Sequence, residues 1–210
     1  MKLVLYDTET TGLGPKDEVI QYCCMILDES LNLMKIHDVY CMSTIQIDPG
    51  AFKVHNLTRE FIYEKSHGKF FEELFEDIKK DFDDDIVIFV AFNDKFDMRL
   101  INQTLINANL PVFDFGEKIN SLAQKKSGIY HLDLMKAAAD YFNFRKGYIS
   151  LDKTLEKLGK QDCINKYNDL NKITKYENDR DNYHHNARFD VFALWYIIYN
   201  LKGYLFRKDV

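Results

Sequence analysis

The sequence predicts an α/β domain, a mixed sheet with helices packed on it, and three observations carry that expectation. Lys2-Leu3-Val4-Leu5-Tyr6 and Ile86-Val87-Ile88-Phe89-Val90-Ala91 are short, continuous apolar runs of the kind that form buried strands. Glu18 to Leu27 and Ile36 to Ile45, with aromatic and β-branched content, extend the first run into a three-stranded meander. Beyond Pro49-Gly50, which is expected to end that meander, apolar residues recur mainly at helical spacing.

Phe61 to Phe82 reads as one helix, and Lys95 to Asn107 as another that follows the strand at Ile86 to Ala91. His131 to Phe142 places Leu132, Met135, Ala138, Ala139 and Phe142 on one side, which predicts a helix. Leu151, Leu155 and Leu158 mark a further helical turn pair. Gln161 to Tyr183 is polar and rich in Asn, Asp and Lys, so an irregular excursion is expected there. A terminal apolar helix then runs through Val191 to Leu201. No linker, repeat or low-complexity tract divides the chain, and residues 1–210 are taken as one domain.

At 210 residues, 46% hydrophobic and 29% charged, the composition is that of a globular protein large enough to bury a core. No apolar run approaches the ~18 residues of a membrane span, and the N-terminus lacks the charged and apolar regions of a signal peptide. Cys23, Cys24, Cys41 and Cys163 show no zinc-site spacing, and Cys23 and Cys24, within an apolar run, read as buried free thiols of a reducing compartment. A cytoplasmic location is therefore expected, and the wealth of Asn, Lys, Ile and Tyr suits an AT-rich phage or bacterial genome.

The chemistry is concentrated in three clusters. Asp7-Thr8-Glu9-Thr10-Thr11-Gly12 closes the first strand, and side chains two apart on a strand share a face, so Asp7 and Glu9 point together. Two adjacent carboxylates raise the energy of each other's ionised form unless a cation lies between them. Oxygen-only ligands suit a hard ion such as Mg²⁺ or Mn²⁺. The second cluster, Phe92-Asn93-Asp94-Lys95-Phe96-Asp97, follows the strand at Ile86. The third, His185-Asn186-Ala187-Arg188-Phe189-Asp190, opens the terminal helix and sets His185 and Asp190 on roughly one face. Four carboxylates and one histidine, spread over the whole chain, can thus converge on one site for two ions.

Asp7, Glu9, Asp97 and Asp190, with His185 in His-x-x-x-x-Asp spacing, resemble the DEDDh branch of the DnaQ-like 3′–5′ exonucleases, which includes the proofreading subunits of bacterial replicative polymerases. Val54-His55-Asn56-Leu57-Thr58 is similar to that family's His-Gly-Ile-Thr element, and Ser150 to Gly159 resembles the helix preceding its last motif. The second motif departs from the family: Phe92 and Asp94 stand where His and Ala are usual. Asp94 is therefore a rival ligand to Asp97, and His184 a rival base to His185.

The resemblance implies an RNase H-like fold and hydrolysis of phosphodiesters with two divalent ions, Mg²⁺ or Mn²⁺, held by Asp7, Glu9, Asp97 and Asp190. It makes His185 the general base, a role suited to histidine's unperturbed pKa of ~6.5. Thr8, Thr10, Thr11, Leu13, His55 and Asn93 are the implied contacts to the terminal nucleotides. The partner is expected to be single-stranded nucleic acid with a free 3′ end, DNA rather than RNA, with a replication or repair complex as a further candidate. A ribonuclease of the same fold and an inactive nucleic-acid-binding module are the alternatives. The formal charge of −5 argues against a broad basic track, although two divalent ions would offset four of the acids. No aromatic stripe with interleaved basic residues marks an extended strand platform, so recognition of only the last few nucleotides is expected.

Overall fold

The computed structural model describes residues 1–123, 126–174 and 185–207. β1 (Lys2–Thr10), β2 (Val19–Leu27) and β3 (Leu33–Tyr40) form an antiparallel meander. β4 (Ile86–Ala91) pairs parallel to β1, and the two-residue β5 (Glu117–Lys118) and β6 (Gly128–Asp133) complete a sheet ordered β3-β2-β1-β4-β6-β5. The helices are α1 (Pro49–His55), α2 (Arg59–Ser66), α3 (Phe71–Lys79), α4 (Asp94–Asn107), α5 (Leu134–Tyr141), α6 (Leu151–Leu158), α7 (Lys160–Thr174) and α8 (Ala187–Leu205). The mixed sheet with helices on both faces is the α/β architecture expected from the strand and helix patterns.

Every residue of β2 is buried, because the sheet is covered on both sides. On one face Leu3, Leu5, Ile88 and Val90 pack with α8, whose Phe189, Val191, Ile197 and Leu201 are buried among them. On the other, Tyr6, Tyr22, Phe71, Phe75 and Phe89 form an aromatic core with Leu100 and Ile101 of α4. Pairing of β1 with β4 stops at Leu5, opposite Val90. Past that point β1 keeps its β2 neighbour to Thr10 but no longer pairs with β4, and the start of α4 meets it at Thr8 instead. A sheet that parts at the carboxyl ends of its parallel strands creates a crevice there.

Four stretches differ from the sequence expectation. Pro49-Gly50 starts a helix instead of merely ending the meander: Asp48 accepts the Gly50 N–H, and proline fits the first helical turn. β3 accordingly stops at Tyr40. The helix expected over Phe61 to Phe82 begins at Arg59, breaks after Ser66, where His67 and Gly68 take φ of 52° and 78°, and resumes as α3 and a 3₁₀ turn at Lys80–Phe82. The stretch His131 to Phe142 is divided: His131 and Asp133 pair with Phe89 and Ala91 in the sheet, and Asp133 then caps α5 through the Met135 N–H. Pairing to a distant strand outweighs local helical spacing there. Finally, the polar stretch from Gln161 folds as α7 as far as Thr174, anchored by buried Cys163 and Tyr167 four residues apart. The remainder of that expected excursion lies outside the described residues.

Among the described residues no helix is long and apolar enough to cross a membrane, and all four cysteines are buried and free of disulfides.

Candidate active site

β1 carries the first two acids into the crevice. Asp7 and Glu9 share a face, and Asp190 reaches them from the first turn of α8, so that one carboxylate oxygen from each lies within 4.8 Å of the others. The start of α8 is fixed by Asn186, whose side chain accepts the Arg188 N–H at 3.1 Å. His185 precedes this cap with φ 55° and lines the same cleft as Asp190.

Asp97 arrives from the other face of β1. Thr8 points oppositely to Asp7 and Glu9, and both its backbone N–H (3.0 Å) and its hydroxyl (2.7 Å) donate to Asp97 Oδ1. The two bonds clamp the first turn of α4 against β1. Asp97 is outside the tight set of three, but adjoins it closely enough to be the largest charged influence on Asp7.

The electrostatics are strained. Burial, then Asp97, Asp190 and Glu9, hold the Asp7 carboxyl well above the usual carboxylate range. Burial pushes Asp97 up to about 7, even though the Thr8 donors favour its ionised form. Crowded, oxygen-only and half-enclosed, this donor set fits a hard divalent cation.

A cleft of about 1010 Å³ opens over the acids. Thr8, Thr10, Leu13, His55 and His185 line it together with Asp7, Glu9 and Asp190. Leu13 is 75% exposed at its rim, whereas His55 is buried at the end of α1 and accepts the Leu57 N–H on Nδ1 at 2.9 Å. Thr10 turns its hydroxyl to the Gly12 carbonyl, 2.9 Å away.

Two expected contacts are elsewhere. Thr11 is fully buried and does not line the cleft; its hydroxyl donates to Asp17 Oδ1 (2.8 Å) and accepts the Glu18 N–H (3.0 Å), locking the turn. Asn93 also lies off the cleft: it takes φ 72° to start α4 and donates its N–H to Asp133. Asp94, the rival ligand, is fully buried and pairs with His131 Nδ1 at 2.8 Å, and it is not part of the three-acid cluster. His184 lies outside the described residues.

Sequence reasoning missed the supports of the Leu13 loop. Asp17 lines the cleft and organises the turn, and a Cβ on Gly12 would meet its carboxylate at 2.7 Å. Arg99 donates to the Leu13 carbonyl (3.3 Å) and Gln103 to the Gly14 carbonyl (3.1 Å), so α4 holds both Asp97 and the rim of the cleft. Gln46 to Ala51 and Val54 make the opposite wall, with Phe96 beside Asp97. Both residues fall within the helix expected over Lys95 to Asn107; nothing local showed that its surface faces a loop some 85 residues earlier.

Three convergent acids thus line a crevice at the end of a mixed sheet, a donor set for a divalent cation. The chain belongs to the exonuclease family described as RNase_T, which matches it over residues 4–198. DNA polymerase III subunit epsilon of Buchnera aphidicola subsp. Acyrthosiphon pisum (strain APS) is 28% identical over 168 residues, 76% of this chain and 63% of that protein. The chain thus spans less than two thirds of that curated relative. Among solved structures, E. coli Exonuclease I in complex with a dT13 oligonucleotide aligns with a TM-score of 0.67 at 16% identity, covering 96% of this chain and 41% of that one. Exonuclease X in complex with 5′ overhanging duplex DNA aligns at 0.56 and 17% identity, covering 96% and 91%. These likenesses establish the RNase H-like fold.

Proposed function

We propose that this chain is a metal-dependent 3′–5′ exonuclease that removes nucleotides from the 3′ end of single strands, DNA rather than RNA. The observation that carries the reading is the convergence of Asp7, Glu9 and Asp190 within 4.8 Å, from opposite ends of the chain, beside the clamped Asp97. A solvated surface has no need to hold acids in that arrangement against their own repulsion.

Asp7, Glu9 and Asp190 would hold one divalent cation, and Asp97 with Asp7 a second. When bound, such a pair stabilises charge on both the attacking and the leaving oxygen of a phosphodiester. His185 takes the proton from the attacking water as general base. Thr8 keeps the Asp97 carboxylate oriented through two donors. Leu13, held out at the rim by α4, packs on the terminal base, and His55 closes the wall behind the sugar. Thr10 supplies backbone polar groups to the same terminal nucleotide. DNA is favoured because the curated relative is a DNA polymerase subunit and the solved Exonuclease I complex holds an oligothymidylate. The same kinship makes a replication complex the candidate protein partner.

The test is incubation of 5′-labelled DNA and RNA strands of matched sequence with and without Mg²⁺. A shrinking ladder from DNA, absent in EDTA, is expected. Faster hydrolysis of RNA would replace the DNA assignment, and no hydrolysis of either would remove the exonuclease reading.

A further inference from the structure

Away from the cleft-lining residues, the fold assembles a second surface from two distant segments, and it corrects the sequence expectation of no aromatic stripe: Tyr141, Phe142, Phe144 and Tyr148 interleave with Arg145 and Lys146. Tyr141 and Tyr148 are 43% and 53% exposed, and Arg145 and Lys146 stand exposed between them. Lys157 of α6 lies over the rings of both Phe142 (5.2 Å) and Phe144 (5.8 Å). Tyr141 meets Phe142 edge-on at 5.0 Å and Tyr204 of α8 at 5.3 Å, and Arg207 sits over Tyr204 at 4.0 Å. Phe144, Lys157, Phe142, Tyr141, Tyr204 and Arg207 thus form one run of rings and cations across α5, α6 and α8, and Arg145, Lys146 and Tyr148 adjoin it in sequence.

The charge there runs against that of the whole molecule. Residues 141–158 hold four cations and two acids, in a chain with a formal charge of −5. Lys79 of α3 and Lys166 and Lys172 of α7 pair with acids of their own helices, Glu76, Asp162 and Asp169, and Lys160 of α7 pairs with Asp152 of α6. Within the patch, the side chains of Lys157 and Arg207 lie over aromatic rings.

We propose that this surface is a second binding site for single-stranded nucleic acid, one that holds the body of the strand whose 3′ end occupies the cleft. Exposed rings beside cations bind strands without regard to sequence: the rings stack on bases, and the cations take the phosphates. The direction of the strand rests on the exonuclease reading; the binding itself does not. Fourteen residues of α8 separate Asp190 from Tyr204, roughly 21 Å at 1.5 Å per residue. At ~3.4 Å per nucleotide of a stacked strand, at least about six nucleotides are needed to reach both sites.

The experiment measures binding of fluorescein-labelled oligothymidylates in EDTA, where hydrolysis is stopped, using a trimer and a strand several times longer than this span. The full chain is compared with Arg145→Glu/Lys146→Glu and with Tyr148→Ala, exposed positions remote from the cleft. The wild type is expected to bind the long strand much more tightly than the trimer. Tyr148→Ala should weaken the long strand by at least about fivefold, the loss of one stacked base. The charge reversals should weaken it further and flatten its salt dependence, by a slope of about 0.7 for each phosphate left without its cation. Trimer hydrolysis with Mn²⁺ should be unchanged in both variants. Equal affinity of wild type and variants for the long strand would overturn the proposal and leave the face as a surface for docking another protein. So would a wild type that binds trimer and long strand alike. If the variants lose long-strand affinity while no version hydrolyses any strand, the second site stands and the exonuclease reading falls.

Discussion

Asp97→Asn should make the metal-free protein more stable, and only above mildly acidic pH. Asparagine keeps an Oδ1 acceptor for the Thr8 N–H and hydroxyl, so the clamp survives while the charge is removed. Burial raises the Asp97 pKa from 3.8 to about 7, so the folded protein holds a proton that the unfolded chain has released between those values. With more protons bound in the folded state, the stability of the wild type falls as pH rises through that window. Below ~4 both states are protonated and the two proteins should be alike. Above ~7 the shift of about three units corresponds to a ceiling on the order of 4 kcal/mol. The gap should be read from urea unfolding in EDTA across this range. On adding Mn²⁺ the gap should narrow, since an ion at ~100 times its Kd stabilises the wild type by about 2.7 kcal/mol and the variant, lacking one ligand charge, by less. A stability gap that does not change with pH, or equal stabilisation of both proteins by Mn²⁺, would refute the strained-acid reasoning.

Other substitutions separate roles within the cleft. Asp7→Ala should abolish both the melting shift on adding Mg²⁺ and the hydrolysis, since every other acid of the site acts on the Asp7 carboxyl. His185→Ala should lose ~10²–10⁴-fold in single-turnover rate, ~3–5 kcal/mol of transition-state stabilisation, while calorimetric titration shows Mn²⁺ affinity retained. Gly12→Ala, whose Cβ would press on the Asp17 carboxylate, should cost ~1–3 kcal/mol in urea unfolding and raise KM more than it lowers kcat.

The strands were legible in sequence where a continuous apolar run met buried neighbours on both sides, as at Leu3 to Leu5 and Val87 to Ala91. The strand at Gly128–Asp133 was hidden because its alternation merges with the helical spacing of Leu134, Ala138 and Ala139, and only pairing with β4 separates them. Similarly, α7 was masked by its polar surface, since three buried side chains, Cys163, Tyr167 and Asn171, suffice to seat it. At the site, the acids declared themselves through chemistry and spacing. Nothing local revealed that Thr11 is buried in its turn or that Asn93 lies off the cleft, because turn-forming and substrate-facing residues have the same composition. The Arg99 and Gln103 supports were invisible, being defined only by which loop the helix meets.

The central claim, one metal-dependent centre acting on 3′ ends, is tested most directly by following a 5′-labelled single strand and a circular single strand of the same composition with Mn²⁺. A ladder that shortens one nucleotide at a time from the linear strand, with the circle left intact and all cleavage stopped by EDTA, is expected. Rapid linearisation of the circle, or cleavage that persists in EDTA, would contradict it.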